Sequence, residues 1–294
     1  MDVTSQPVFQ QNGRLYRNYE ENPENKIEAR VKNHYYLQHQ RQTVQFVDEM
    51  VKKKAGESNS LNFLTSLQHH KWLGFNHGRM TIMDALDMLS NFLDESDPDV
   101  DVANLDHAYQ TAERLRKSHP HKPWMHLAGL VHDLGKLMSV KGQEQWAVTG
   151  DTYPVGCAPS EEIVFGINSF EGNPDILNPK YNTKLGMYQV GCGLESLKMC
   201  WGHDEYMYQV LVNHGSTLPE DALYAIRFHS FYPYHSHNAY RQFINDKDRK
   251  MFGAILMLNE CDLYSKDDTK PDIRKLKPYY QSLIDQYIPG EVAW

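Results

Sequence analysis

The chain has 294 residues, 40% of them hydrophobic and 23% charged, with a formal net charge of −8. This is the balance of a globular chain with a substantial core, and the acidic surplus argues against nucleic acid or an anionic membrane as the main partner. The polar N-terminus has no signal pattern, no apolar run is long enough for a membrane span, and the cysteines at 157, 192, 200 and 261 form no Cys-x-x-Cys pair, so a reduced, cytoplasmic setting is expected.

Residues 1–27 are rich in Gln, Asn and Glu and are expected to be partly irregular, with 28–294 forming one domain. Apolar residues at helical intervals then predict a succession of helices. Gln38 to Lys54 spaces Val44, Val47 and Val51 in this way, and Thr81 to Leu93 does so with Ile82, Ala85, Leu86, Leu89 and Leu93. Ala103 to Lys117 carries Leu105, Ala108, Tyr109, Ala112 and Leu115, with Asp101 and Asn104 standing where a cap is needed. Lys122 to Met138 opens with Pro123, suited to a first helical turn, and repeats Leu127, Leu130, Leu134 and Leu137. Residues 139–193 are punctuated by Gly and Pro and leave room for short strands or turns at most, as in a binding loop or lid. Helical patterns resume near Leu194 and over Asp204 to Val212, Pro219 to His229 and Asp248 to Tyr264, and Thr217-Leu-Pro-Glu220 reads as a capping box. The expected fold is all-α: a single helical domain with a loop-rich insert.

The most informative pair is His132-Asp133, inside the apolar run from Trp124 to Met138. A carboxylate there is heavily penalised unless hydrogen bonds, a counter-charge or a cation compensate it. A His-Asp dipeptide is a weak signal alone, and His203-Asp204 is a second copy. Other residues share its placement. Asp262 lies on the face of Leu258, Ile255 and Met251, where pairing with Lys266 is the plain alternative to a metal. His229 shares a face with Ala222, Ala225 and Ile226, and alone would be read as a core histidine bonded to a carbonyl. His107 edges its helix's apolar stripe, and His203 opens a helix. Four imidazoles and two carboxylates, with no thiolate, suit Fe, Mn or Zn, and six ligands, one able to bridge, suit a dinuclear centre with open positions. Lys136, four residues after His132, is either a partner for Asp133 or a cation that orients a hydroxyl and favours its alkoxide. His69, His70, His119, His121, His235 and His237 lie in polar stretches and are expected to be solvated, and His126 is expected to face away from His132.

The order His107, His132-Asp133, Asp262 resembles the metal signature of the HD-domain superfamily. Longer strings, among them Leu93-Asp-Glu-Ser-Asp-Pro-Asp-Val-Asp101, His132-Asp-Leu-Gly-Lys136, Gly150-Asp-Thr-Tyr-Pro-Val-Gly156, Trp201-Gly-His-Asp-Glu-Tyr-Met-Tyr208, Arg227-Phe-His-Ser-Phe-Tyr-Pro233 and Leu276-Lys-Pro-Tyr-Tyr280, are similar to the myo-inositol oxygenase family. That resemblance implies a non-haem di-iron oxygenase, working as mixed-valent Fe(II)/Fe(III), that opens myo-inositol with O2 to give D-glucuronate and water; the chain itself is expected to be a monomer. The resemblance implies one iron on His107, His132 and Asp262, the other on His203 and His229, and Asp133 bridging them. Substrate contacts would come from Asp94, Glu95, Ser96, Lys136, Gly150, Asp151, His229, Ser230 and Lys266, with Arg17 as an N-terminal substrate arginine. Two other readings use the same ligands. One is a metal-dependent HD phosphohydrolase, for which the chain supplies few basic residues near the site, chiefly Lys136 and Lys266. The other is a scaffold that holds metal structurally, which predicts a closed coordination shell and no substrate-sized cavity.

Overall fold

The structure, a computed structural model, describes residues 9–11, 14–16, 26–51, 72–97, 103–263 and 270–294. Arg17, His69, His70, Asp101 and Lys266 lie outside these residues. In chain order the α-helices are α1 (Lys26–Arg41), α2 (Val44–Val51), α3 (Ile82–Met88), α4 (Asn104–Ser118), α5 (Pro123–Val131), α6 (Leu137–Val140), α7 (His203–His214), α8 (Glu220–Phe228), α9 (Tyr232–His235), α10 (Asp246–Leu263) and α11 (Ile273–Tyr287). Short 3-10 turns punctuate the loops, and there are two antiparallel strand pairs among the described residues: β1 (Phe9–Gln11) with β2 (Arg14–Tyr16), and β3 (Arg79–Met80) with β4 (Val292–Ala293). The fold is therefore mostly helical, as its periodicity requires. Within residues 1–27 the described part is the β1–β2 pair and the start of α1 at Lys26.

Helices α4, α5, α7, α8 and α10 pack on one another around the apolar core, and α11 covers α5. The most extensive helix contact is between α4 and α5, and Gly129 permits it. A Cβ on Gly129 would stand 2.4 Å from Leu115 Cδ1 and 3.3 Å from Ala112 Cα. Helix α1 sits apart from that core. Its Val31 and Tyr35 pack on Val164 in a small satellite cluster, and its buried face is otherwise polar: His34, Gln38 and His39. Those groups bond outward to the insert. Gln38 Nε2 donates to Thr149 O and Asp151 O, both at 3.2 Å, and Tyr35 Oη donates to Asp151 Oδ1 at 3.0 Å.

Several boundaries differ from those the periodicity predicts. The first helical stretch begins at Lys26 and breaks after Arg41, because the Thr43 hydroxyl caps Phe46 N and Asp175 accepts from Val44 N. Asn104 is the first residue of α4 and not its cap; that position is Ala103, with no side-chain bond. Thr217 makes no capping box, since its N and Oγ1 donate to Tyr287 O and Gln286 O at the end of α11, and Pro219 is the cap residue of α8. Leu194 begins a single 3-10 turn, closed by Asp248 accepting from Leu194 N. The helix expected over Lys122 to Met138 is interrupted: α5 ends at Val131, a 3-10 turn spans Leu134–Lys136, and α6 follows. Helix α11 is not predicted by the periodicity, because Pro278 stands in its interior; its buried Tyr280, Leu283 and Ile284 supply the face that holds it.

Candidate metal centre

The interruption after α5 places His132 and Asp133. His132 is the C-cap of α5, and its Nδ1 donates to Gly129 O at 2.8 Å. His229 repeats this arrangement as the C-cap of α8, with Nδ1 2.8 Å from Ile226 O. His203, the first residue of α7, donates both its backbone N and its Nδ1 to Val148 O, each at 2.8 Å. A carbonyl only accepts, so each of the three imidazoles keeps a proton on Nδ1 and turns Nε2 toward the interior, the nitrogen that would ligate a cation. The approach of α7 requires Gly135, where a Cβ would lie 2.1 Å from His203 O.

Six donors from five elements converge. Asp262 Oδ1, from α10, lies 2.9 Å from His107 Nε2 and 3.3 Å from His132 Nε2. The two oxygens of Asp133 face different partners. Its Oδ2 is 3.6 Å from both His107 Nε2 and His132 Nε2, whereas its Oδ1 is 3.3 Å from His203 Nε2 and 3.8 Å from His229 Nε2. His203 Nε2 and His229 Nε2 stand 3.2 Å apart. Two such nitrogens at that distance are satisfied by a shared proton or by a metal ion between them. Donors bound at right angles about 2.1 Å from one ion are about 3 Å apart, so these spacings fit coordination. Five of the six residues are buried and His107 nearly so, and these His/Asp groups can bind metal.

The electrostatics agree. Burial pushes the Asp133 carboxyl upward, but Lys136 and His132 outweigh it and hold it well below the usual range. Asp262 is opposed by burial in the same way and is held low by His132 and His107. Burial disfavours the charged form of His203, yet Asp204 and Asp133 raise its pKa to about 10. The region is thus built for positive charge.

A small cavity of about 50 Å³ adjoins the donors. All of them except His132 line it. Among the described residues, Lys136 is the only lysine or arginine in its wall, 2.8 Å from Asp133 Oδ2 and 2.9 Å from Asp94 Oδ2. Asp94 Oδ1 in turn accepts from Ser96 N and Oγ. On the other side Ser230 donates from N and Oγ to Asp204, both at 3.1 Å, and its carbonyl accepts from Thr152 N.

The myo-inositol oxygenase family model matches residues 28–294. The chain belongs to the myo-inositol oxygenase family. It is 48% identical to the inositol oxygenase of Sus scrofa over 279 residues, covering 95% of this chain and 92% of that one. The Homo sapiens inositol oxygenase is 47% identical over 95% of this chain and 90% of its own length. A probable inositol oxygenase of Oryza sativa subsp. japonica is 42% identical over 96% of this chain and 86% of its own.

Of the residues expected at the family's substrate site, Asp94, Ser96, Lys136, Gly150, Asp151, His229 and Ser230 line the cavity. Glu95 does not; its half-exposed carboxylate turns to His34, 3.9 Å away. Arg17 and Lys266 lie outside the described residues. The structure adds Tyr35, Asn104 and Tyr232 to the wall and Asp204 beside His203, with Oδ1 2.9 Å from Nε2. The second His-Asp dipeptide is a visible signal for Asp204. Two solvation expectations fail. His235 is fully buried with Nε2 on His229 O at 2.8 Å, a partner for a carbonyl that the end of α8 leaves open. His237 is mostly buried against Glu162. His126 does face away, bonded to Tyr279 and to His119 O.

Proposed function

We propose that this chain oxidises myo-inositol with O2, opening the ring in a four-electron reaction that yields D-glucuronate and water. His107, His132 and Asp262 would hold one iron, His203 and His229 a second, and Asp133 would bridge them. As a mixed-valent Fe(II)/Fe(III) pair, the ions would supply Lewis acidity toward substrate hydroxyls and the one-electron steps that O2 requires. The observation that carries this reading is the division of the Asp133 oxygens between two pairs of imidazoles. We take residues 28–294 as the catalytic domain and 1–27 as an accessory segment, in a chain acting as a cytoplasmic monomer; four free thiols support a reducing setting.

The protein groups have separable tasks. Lys136 spends two of its three N–H groups on Asp133 and Asp94, which leaves one for a substrate oxygen. Its ammonium favours the alkoxide form of a nearby hydroxyl. The Ser230 hydroxyl donates to Asp204, so its lone pairs are available to accept from the polyol. Gly150, at φ +97°, keeps its turn within reach of His34, Tyr35 and Gln38, where a Cβ would meet all three at 3.1 to 3.3 Å. That packing fixes Asp151 at the wall and limits water entry from the α1 side.

The test is metal analysis followed by oxygen uptake. Iron-loaded chain given myo-inositol should consume equal amounts of O2 and substrate and form uronate. Activity with redox-inert zinc in place of iron, or O2 consumption without uronate, would overturn the proposal. The phosphohydrolase reading gains no support from the cavity, where Lys136 is already held by two carboxylates.

A further inference from the structure

We infer that Asn104 is a further substrate-binding residue, a carboxamide that reads one hydroxyl of the cyclic polyol. The inference rests on the function proposed above. Asn104 is 8% exposed and lines the cavity beside Ser96, Asp97, His107 and Asp262. Among the described residues its side chain makes no hydrogen bond. The amide thus stays open to the cavity and is available to a ligand there. Helix capping is the usual reason for Asn at a helix start, but the cap residue here is Ala103 and no side chain fills that role. The other polar groups of the wall already have partners. Lys136, Asp94 and Ser96 bond one another, Asp151 is held by Tyr35, and Ser230 by Asp204.

The chemistry of the group selects its ligand. A carboxamide offers N–H donors and carbonyl lone pairs together, which matches a hydroxyl, itself both donor and acceptor. Being neutral, it neither competes for the metal charge nor repels the carboxylates around it. Asn104 precedes His107 by three residues and shares its helix face. A ring held by both Ser230 and Asn104 has its hydroxyl pattern read at two points. Cyclitol isomers differ only in that pattern, so Asn104 determines selectivity among them.

Calorimetric titration of the iron-loaded full chain with myo-inositol and its mono-deoxy analogues, without O2, tests this. The parent must first bind myo-inositol; if it does not, the proposed function fails, not this assignment alone. N104A should retain its iron and its melting temperature and bind myo-inositol about tenfold more weakly. It should also lose discrimination against one particular deoxy analogue, the one lacking the hydroxyl that Asn104 reads. N104S, a milder change, should show the same selective loss and serves if N104A does not fold. Undiminished affinity in both variants, an equal loss for every analogue, or loss of iron would overturn the assignment.

Discussion

Replacing Lys136 by Met should destabilise the metal-free chain far more than the loaded one. The ammonium lies 2.8 Å from Asp133 Oδ2 and 2.9 Å from Asp94 Oδ2, and the three side chains are only 11%, 6% and 10% exposed. Met preserves the unbranched stem while removing the charge, so two buried carboxylates lose their shared counter-ion. Removing one partner of a buried pair costs about 3–5 kcal/mol, and the second carboxylate places the expected loss toward the upper end. Asp133 is also a proposed metal donor, so bound iron should compensate it again and leave chiefly the Asp94 penalty, roughly half of that value. Urea unfolding with chelator and with iron measures both quantities. Iron should stabilise K136M by more than it stabilises the parent, and adding D94N should return part of the loss. Equal unfolding midpoints for parent and K136M in chelator, or equal stabilisation of both by iron, would refute the argument.

Three further outcomes are expected. G135A pushes a methyl into His203 O, so it should lose the ion on His203 and His229 while keeping the one on His107, His132 and Asp262; full iron content would count against that role for the glycine. H107A should lose one ion and D133A should lower occupancy of both positions, with equal losses in the two variants as the contrary result. His39 is buried against Phe170 and bonded to Ser169, and burial lowers its pKa from 6.5 to about 3. Between those values the unfolded chain binds a proton that the folded chain refuses. The stability contributed by neutral His39 is therefore complete above pH 6.5 and declines toward pH 3, by about 1.4 kcal/mol per pH unit. H39F should show a shallower acid limb whatever its absolute stability; parallel limbs in parent and variant would exclude the assignment.

Helices with one apolar face were legible in the sequence, and so was the convergence of six donors, because a carboxylate on an apolar face demands a compensating charge. The interruption at His132 to Lys136 was not. Leu127, Leu130, Leu134 and Leu137 keep helical spacing across the break, and only Gly135 hinted that another backbone had to pass there. Caps were misassigned where tertiary bonds claimed the capping group, as at Thr217. Buried histidines such as His39 and His235 looked solvated or unremarkable, since their partners are carbonyls and hydroxyls distant in the chain or hidden by a turn. Asp204 and Asn104 show the same gap: a local pattern displays residue types but not which polar groups end up facing a shared space.

Both α5 and α8 finish at histidines of the centre, so the carbonyl-rich, electronegative poles of two helices aim at one spot. The scaffold would thus act as a trap for divalent ions in general before any particular metal is chosen. Imidazole and carboxylate bind zinc more tightly than ferrous iron, so affinity alone would favour zinc over the iron proposed above. What fills the trap will follow the ions available while the chain folds. Protein produced in zinc-rich, iron-poor medium should emerge well folded, fully charged with metal, and silent.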